Sequence, residues 1–458
     1  MQPKSFYIHT IGCQMNVSDS ERIASSLAPL GYVPALSADE ADLVVVNTCS
    51  VRAKAEQKAF SLLGQLAAVK ARRPEMVVAV AGCVAQQEGG RLCERAPHVD
   101  IVLGTRAIHR LEALLRRLPF HPRPLVDVEM NGQPDAGDAR SAAGAAGGVS
   151  RFVTIMRGCD NFCAYCVVPA VRGRETSRSP EAILAEIRGL AAAGVREVTL
   201  LGQNVNSYGV KEGNCSFAQL LAQVNAVEGL ARIRFTTSHP KDLTPELIHS
   251  FARLEKLCPH IHLPVQSGSN RILARMNRRY TRDHYLDNVA KLRNSCTQIA
   301  ITSDIIVGFP GEAGADFEAT LDLMRQVEFD SVFAFMYSDR PNTPAGLLAE
   351  KIPERDKRER LQAVLALQDG VTRAKHQALV GSVQEVLTEG FSKRPAAGSA
   401  GQSGRKPWTG RTPGNKIVHF LDAHAGAAAD PVRAGRVVAV RIERALAHSL
   451  WGCRKQCD

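Results

Sequence analysis

An alternation of short apolar runs with helix-patterned segments constrains this chain most, and it occurs twice. The first set of runs is Phe6–Thr10, Leu43–Asn47, Val77–Ala81 and Asp100–Leu103. Helical patterning lies between or after them, over Ser18–Leu30, Lys54–Ala71 and Ile108–Leu118. Parallel neighbours in a sheet need a long crossover, which a helix supplies, so the pattern predicts an open parallel sheet wrapped by helices. The second set is Phe152–Met156, Glu197–Leu201, Arg232–Thr236, His260–Pro264, Ser303–Val307 and Val332–Met336. Helices are expected at Pro180–Ala193, Phe217–Val227, Arg282–Arg293 and Phe317–Val327. About six strand–helix units at this spacing predict a full or partial parallel barrel of the TIM type.

The pattern then changes. Asp356–Leu379 reads as a long charged helix. Ser382–Thr388, Lys416–Phe420 and Arg436–Ile442 read as short strands among Gly and Pro, which predicts a small all-β barrel. Lys393 to Asn415 reads as a long polar loop carrying an exposed Trp408. The expected domains are therefore an α/β domain over 1–120, a linker over 121–150, a barrel over 151–378 and a β-barrel over 379–450. The linker rests on the stretch DARSAAGAAGGVS.

A chain of 458 residues with 45% apolar and 22% charged residues has ordinary globular composition, which excludes general disorder. Its longest apolar run, Met76 to Ala85, is half the length of a membrane span. The opening MQPKSFYIHT has no separate apolar core, so no secretory leader is expected and a cytoplasmic location is. In a reducing compartment, 12 cysteines point to metal ligands, catalytic thiols or packing rather than disulfides. The net charge of +11 is uneven: Lys351 to Asp458 holds 19 Lys and Arg against 10 Asp and Glu. A local positive field of that size suits a polyanion such as nucleic acid, or else a solvated basic surface.

Residues 157–166 read RGCDNFCAYC, so Cys159, Cys163 and Cys166 form C-x3-C-x2-C just after the first barrel strand. Three thiolates so close can wrap one side of a metal centre and leave a fourth position open. Structural zinc takes four protein ligands, and no fourth is apparent nearby. An iron–sulfur cluster with one open iron fits, and zinc completed from afar or core thiols are the alternatives. Cys13, Cys49 and Cys83 are dispersed, but each follows a predicted strand: YIHTIGC, LVVVNTC and VVAVAGC. Strand carboxyl ends share one edge of a parallel sheet, so the three can converge there, and Gly12 and Gly82 allow close backbone approach. The other reading is three ordinary buried cysteines.

The spacing of Cys159, Cys163 and Cys166, with Tyr165 before the last, resembles the radical S-adenosylmethionine enzymes. IGCQMNVSDSE, VVNTCSVRAKAEQK and AGCVAQ resemble the three cluster-binding loops of their methylthiotransferase subgroup. GSVQEVLTEGFSK, GRTPGNKIVHF and RIERALAHSLWG resemble a TRAM domain, a small RNA-binding β-barrel. The resemblance spans about residues 5 to 452. Within the subgroup it is closest to the branch acting on isopentenylated adenosine of tRNA. Gln14-Met15-Asn16, Ser50-Val51-Arg52, GTRAIHRL, CVVPAVRGRETSR, LLGQNVNSYG, TTSHPKDL and HLPVQSGS carry that choice. The branches acting on a ribosomal protein and on threonylcarbamoyladenosine differ around the first two cysteines.

The resemblance implies two 4Fe–4S clusters, one on Cys159, Cys163 and Cys166 and an auxiliary one on Cys13, Cys49 and Cys83. It implies replacement of the C2 hydrogen of N6-isopentenyladenosine at position 37 of tRNA by a methylthio group. One S-adenosylmethionine supplies the methyl group and a second supplies the 5′-deoxyadenosyl radical. That C–H bond is neither acidic nor hydridic, so the hard chemistry belongs to the cofactors and no side chain is assigned a catalytic role. Gly202, Gln203, Asn204 and Ser238 are the expected S-adenosylmethionine contacts. A reducing electron-transfer protein and a sulfur donor are the expected partners besides tRNA, with no membrane contact, and the chain is expected to be a monomer.

Other features are weaker. His239, His260 and His262 read as satisfied barrel histidines rather than ligands, while Asp304 and GFPGE (308–312) are expected to shape the cofactor pocket. Asn342 stands where the family usually has Gly, in a turn that Asn can also adopt. Cys93, Cys215, Cys258 and Cys296 read as packing residues, and Cys453 and Cys457 as frayed terminal thiols. Two other functions remain in view. One is a methylthiotransferase for a different tRNA adenosine or for a ribosomal-protein aspartate. The other is a non-enzymatic zinc- and RNA-binding protein.

Overall fold

The computed structural model describes residues 3–50, 53–130, 148–213, 215–393, 406–422 and 432–455. The first sheet has six parallel strands: β1 (Ser5–Ile11), β2 (Val33–Pro34), β3 (Leu43–Thr48), β4 (Val77–Gly82), β5 (Ile101–Leu103) and β6 (Leu125–Asp127). Their order is β2-β1-β3-β4-β5-β6, so β1, β3 and β4 are adjacent. Strand β3, Leu-Val-Val-Val-Asn-Thr, is buried along its whole length, as a central strand covered on both faces must be. Ile23, Leu27 and Leu111 pack on one face of the sheet, and Leu63, Leu66 and Leu92 on the other. Strand β6 lies inside the stretch read as a linker. Its three residues are too short a run to register as a strand, yet Leu125 is buried and pairs with Ile101. Most of DARSAAGAAGGVS lies outside the described residues.

The second region contains β7 (Ser150–Thr154), β8 (Met156–Arg157), β9 (Thr176–Ser177), β10 (Glu197–Leu201), β11 (Arg232–Thr236), β12 (His260–His262), β13 (Ala300–Val307) and β14 (Ser331–Met336). Parallel sheets β11-β10-β7 and β12-β13-β14 meet at an Ile233–Leu257 bridge and form a six-stranded partial barrel. The first expected strand is split: β7 joins the barrel, while β8 turns out to pair antiparallel with β9. Helix Gln14–Leu27 of the first domain lies against β7, where Ser18 Oγ is 3.1 Å from Thr154 Oγ1. Apolar residues such as Ile183, Leu220 and Tyr285 join strand residues such as Leu200 and Ile305 in one core.

Helix Glu354–Gln377 leads to a closed β-barrel of β15 (Val383–Phe391), β16 (Trp408–Arg411), β17 (Ile417–Leu421), β18 (Val437–Ala445) and β19 (Leu450–Arg454). Trp408 is not exposed in a loop: it opens β16, half-buried, its ring 4.4 Å from that of Phe391. Nor is Cys453 frayed, since it pairs across β19 with Leu421 and Arg441. Cys457 lies outside the described residues. Among the described residues no helix is long and apolar enough to cross a membrane.

The β-barrel is fastened to the floor of the larger barrel, at the amino ends of its strands. Arg232 Nη1 donates to the Arg411 carbonyl at 2.5 Å, and Arg234 Nη1 and Nη2 donate to Pro413 and Thr412 at 2.8 Å each. Lys416 Nζ reaches Asp330 just before β14 at 2.9 Å. Arg234 also pairs with Glu197 at 2.9 Å, both side chains being buried. Removing one member of a buried pair strands the other charge. Arg234→Ala is therefore expected to cost about 3–5 kcal/mol and to lower the thermal midpoint. Arg355→Ala, at an exposed pair with Glu359, should leave the thermal midpoint close to that of the parent. Thermal unfolding of the two variants side by side checks the difference.

Candidate active site

Cys13, Cys49 and Cys83 follow β1, β3 and β4, which are neighbours, so the sheet brings all three to one edge. Cys13 caps helix Gln14–Leu27 in extended backbone. Asn16 Oδ1 accepts from the Cys13 amide at 3.2 Å, and Asn16 Nδ2 donates to Asn47 Oδ1 and to the Thr48 carbonyl at 3.0 Å each. Asn47 Nδ2 returns a bond to the Asn16 carbonyl at 2.8 Å. This buried amide clasp fixes the Cys13 loop beside the Cys49 loop. Gly82 has φ +91, and a Cβ there would collide with the Thr48 backbone, so only glycine lets Cys83 approach β3 this closely.

The thiols are electrostatically unequal. A hydrogen bond with Cys49 is the largest influence on Cys13 and, with the charge of Arg172, lowers it to about 6 against the opposing effect of burial. Burial raises Cys83. Arg172 is itself buried and pairs with Asp19 at 2.8 Å. Val51 and Arg52, part of the second cysteine's motif, lie outside the described residues.

Cys159, Cys163 and Cys166 lie in the loop between β8 and β9, at the carboxyl end of the larger barrel. The loop is tied down by bonds from Ala164 N to the Met276 carbonyl (2.9 Å), from Ala345 N to the Ala164 carbonyl (2.9 Å) and from Asn277 Nδ2 to the Phe162 carbonyl (2.9 Å). Burial pushes Cys159 up to about 11 and Cys166 up to about 12, so binding a metal there must release protons. Helix Val168–Arg172 begins two residues after Cys166 and reaches the other triad: Val167 and Val171 pack on Cys83. Thr105 Oγ1 secures it by donating to the Val171 carbonyl at 2.6 Å. One short helix thus joins the two cysteine triads. Among the described residues no group of three His, Cys, Asp or Glu is placed around a single-ion position.

The loop starts at Gly158, with φ +75, where a Cβ would overlap the Arg174 and Gly173 carbonyls. Gly158→Ala is expected to cost at least about 1–3 kcal/mol of local strain and to reduce iron bound per chain. Iron analysis after anaerobic purification, with circular dichroism to follow the fold, checks this.

Beside the loop, buried polar atoms lack partners: Gln203 Nε2, Asn204 Oδ1, Ser238 Oγ, His239 Nε2 and Gln266 Oε1. They follow β10, β11 and β12 at the same end of the barrel. Gln203 accepts the Gly158 amide through Oε1, and Asn204 donates to Asp242 at 2.7 Å. A Cβ on Gly202 would meet the Met156 side chain, so glycine here admits the loop strand. Thr237 and Gln266 hold positive φ, 72° and 71°, a strained state for side chains other than glycine. Buried polar atoms normally find partners, so this collection fits a polar ligand such as S-adenosylmethionine.

The histidines divide. His262 is satisfied, with Nδ1 3.0 Å from Thr302 Oγ1, but His239 Nε2 and His260 Nδ1 lack partners. Burial lowers both, His260 to about 3. Glu312 of GFPGE pairs with Arg360 at 2.6 Å and accepts from the Gly308 amide at 2.7 Å, which braces that turn. Asn342 adopts φ 61, the left-handed turn expected of it. Sequence reasoning missed Gln266 as a pocket residue, although it stands in the quoted HLPVQSGS. It missed Arg278 entirely, whose Nη1 lies 3.5 Å from Cys163 Sγ.

Two family models match: Uncharacterized protein family UPF0004 over residues 5–104, and the Radical SAM superfamily over 153–324. The tRNA-2-methylthio-N(6)-dimethylallyladenosine synthase of Desulfosudis oleivorans is 53% identical over 98% of this chain and 96% of its own length. The chain belongs to this synthase family. The synthase of Geobacter metallireducens is 52% identical over 98% of both chains, and that of Syntrophotalea carbinolica is 47% identical over 98% and 100%. Among solved structures, the synthase fold resembles a radical S-adenosylmethionine methyltransferase, TsrM, from Kitasatospora setae. That match has a TM-score of 0.53 at 14% identity over 76% of this chain and 77% of that one. The radical enzyme OxsB matches with a TM-score of 0.52 at 12% identity, over 80% and 56%. A 4Fe–4S cluster and S-adenosylmethionine follow for this synthase-family chain from its radical SAM domain.

Proposed function

We infer that this enzyme replaces the C2 hydrogen of N6-dimethylallyladenosine in tRNA, at position 37, with a methylthio group. The observation that carries the reading is the helix Val168–Arg172, which joins a cysteine loop at the barrel mouth to a second cysteine triad. Cys159, Cys163 and Cys166 hold one 4Fe–4S cluster, and Cys13, Cys49 and Cys83 hold the auxiliary one. When bound, the clusters and S-adenosylmethionine supply the radical that removes hydrogen and the sulfur that replaces it. Gln203, Asn204 and Ser238 bind the polar end of S-adenosylmethionine through atoms that otherwise lack partners. Asn16 and Asn47 hold the auxiliary loop in register.

The β-barrel and the helix before it grip tRNA, which their excess of Lys and Arg supports. A low-potential electron-transfer protein and a sulfur donor complete the turnover. One chain carries both triads, which supports a monomeric unit, and action on tRNA supports a cytoplasmic location.

Mass analysis of tRNA nucleosides from a strain lacking the protein is the test. The methylthio nucleoside should vanish while its dimethylallyl precursor accumulates, and restoring the gene should reverse both. A methylthio nucleoside persisting at its normal level sinks the substrate assignment. Zinc without iron in anaerobically purified protein sinks the enzyme reading.

A further inference from the structure

Each cysteine triad faces a buried guanidinium, and the two differ in how their charge is met. Arg172 has a carboxylate, Asp19, at 2.8 Å. Arg278 is only 4% exposed, yet no described carboxylate forms an ion pair with it. Its Nη2 donates to the Pro264 carbonyl at 2.6 Å and its Nε to Tyr280 Oη at 3.0 Å. Its Nη1 points to Tyr165 Oη at 3.4 Å and to Cys163 Sγ at 3.5 Å. An arginine does not shed its proton inside a protein, and an uncompensated buried charge is strongly unfavourable. Of these four partners, only Cys163 supplies a full negative charge near neutral pH, as a metal-bound thiolate.

We propose that Arg278 is the counter-charge of the sulfur centre on Cys159, Cys163 and Cys166, and that it favours that centre's one-electron-reduced state. The inference rests on the cluster assignment above. Three thiolates on a 4Fe–4S core of charge +2 leave the centre at −1, and accepting one electron takes it to −2. The attraction of a fixed cation therefore grows on reduction, and hydrogen bonds to sulfur act in the same direction. The electron comes from a low-potential donor. No bond to Arg278 forms or breaks, and the guanidinium keeps all its protons. Arg278 acts through Cys163, so it is a positioning residue.

The test is a redox titration of the full-length, cluster-loaded protein without S-adenosylmethionine, followed by electron paramagnetic resonance. Arg278→Met should lower the ratio of reduced to oxidised cluster at fixed potential at least tenfold, which is about 59 mV for a one-electron couple. Arg278→Lys should recover most of that loss. A Met variant that titrates like the parent overturns the proposal, as does a Lys variant as impaired as Met. With S-adenosylmethionine absent, an arginine serving only to bind its carboxylate would leave the ratio unmoved, so a tenfold shift excludes that role and an unmoved ratio overturns the proposal.

If the Met variant loses its cluster, the parent protein labelled with 15N-arginine decides. Pulsed resonance on the reduced cluster should reveal a 15N coupling that Arg278→Lys removes, and no coupling overturns the proposal. Failure of the cluster assignment looks different, because the parent itself then gives no cluster signal.

Discussion

Cys159→Ala should abolish both cleavage of S-adenosylmethionine and methylthiolation of tRNA. Cys159 opens the loop at the barrel mouth, and its amide donates to the Gly173 carbonyl at 3.2 Å, so backbone as well as sulfur defines the position. Alanine keeps that amide and removes only the ligand. Disturbing an outer partner of a metal site typically costs about 10–100-fold in affinity or activity, and loss of a ligand should exceed that range. Iron should fall from about eight to about four per chain, because only one of the two proposed clusters loses its site. The assay is release of 5′-deoxyadenosine beside the nucleoside profile. Substantial release from the variant would remove Cys159 from the radical-forming site.

Cys13→Ala should separate the two activities. Iron should again fall to about four per chain, and methylthiolation should drop to background, but S-adenosylmethionine cleavage should continue. The sheet explains the selectivity. Cys13 follows β1 and is held by the Asn16–Asn47 clasp, and neither residue contributes to the Cys159 loop. The helix Val168–Arg172 contacts the Cys83 side of the edge through Val171, which alanine at Cys13 leaves in place. Retained methylthiolation in this variant would count against a role for Cys13 in sulfur transfer.

Much of this was legible in the sequence wherever one residue's chemistry coincided with a strand end. Cys13, Cys49 and Cys83 are separated by more than thirty residues, but each directly follows an apolar run, and a parallel sheet turns that regularity into proximity. The Asn16–Asn47 clasp was hidden because an amide pair across 31 residues depends on the register of β1 against β3. Arg278 was hidden for a similar reason: its partner Cys163 lies 115 residues away, across the barrel mouth. Strands β6, β16 and β19 escaped because none carries more than two apolar or β-branched residues in a row: they read Leu-Val-Asp, Trp-Thr-Gly-Arg and Leu-Trp-Gly-Cys-Arg. Such strands are recruited by a neighbouring edge, not by their own pattern. Arg232 and Arg234 lay within an expected strand, but nothing local indicated that they would reach out of the barrel floor to another domain.

On the proposed reading, in which the basic β-barrel grips tRNA, that floor attachment sets a minimum size for the substrate. The basic β-barrel is bolted to the amino ends of the strands, while the cysteine loop and the unpartnered polar atoms sit beyond their carboxyl ends. Strands of five to eight residues put roughly 15–25 Å of protein wall between the two. Arg234 and Lys416 bond across the joint and hold the two sites at opposite ends of the barrel wall. On that reading the enzyme works like a caliper. A free nucleoside fills only one jaw, and a folded RNA long enough to bridge both gains the binding energy of each.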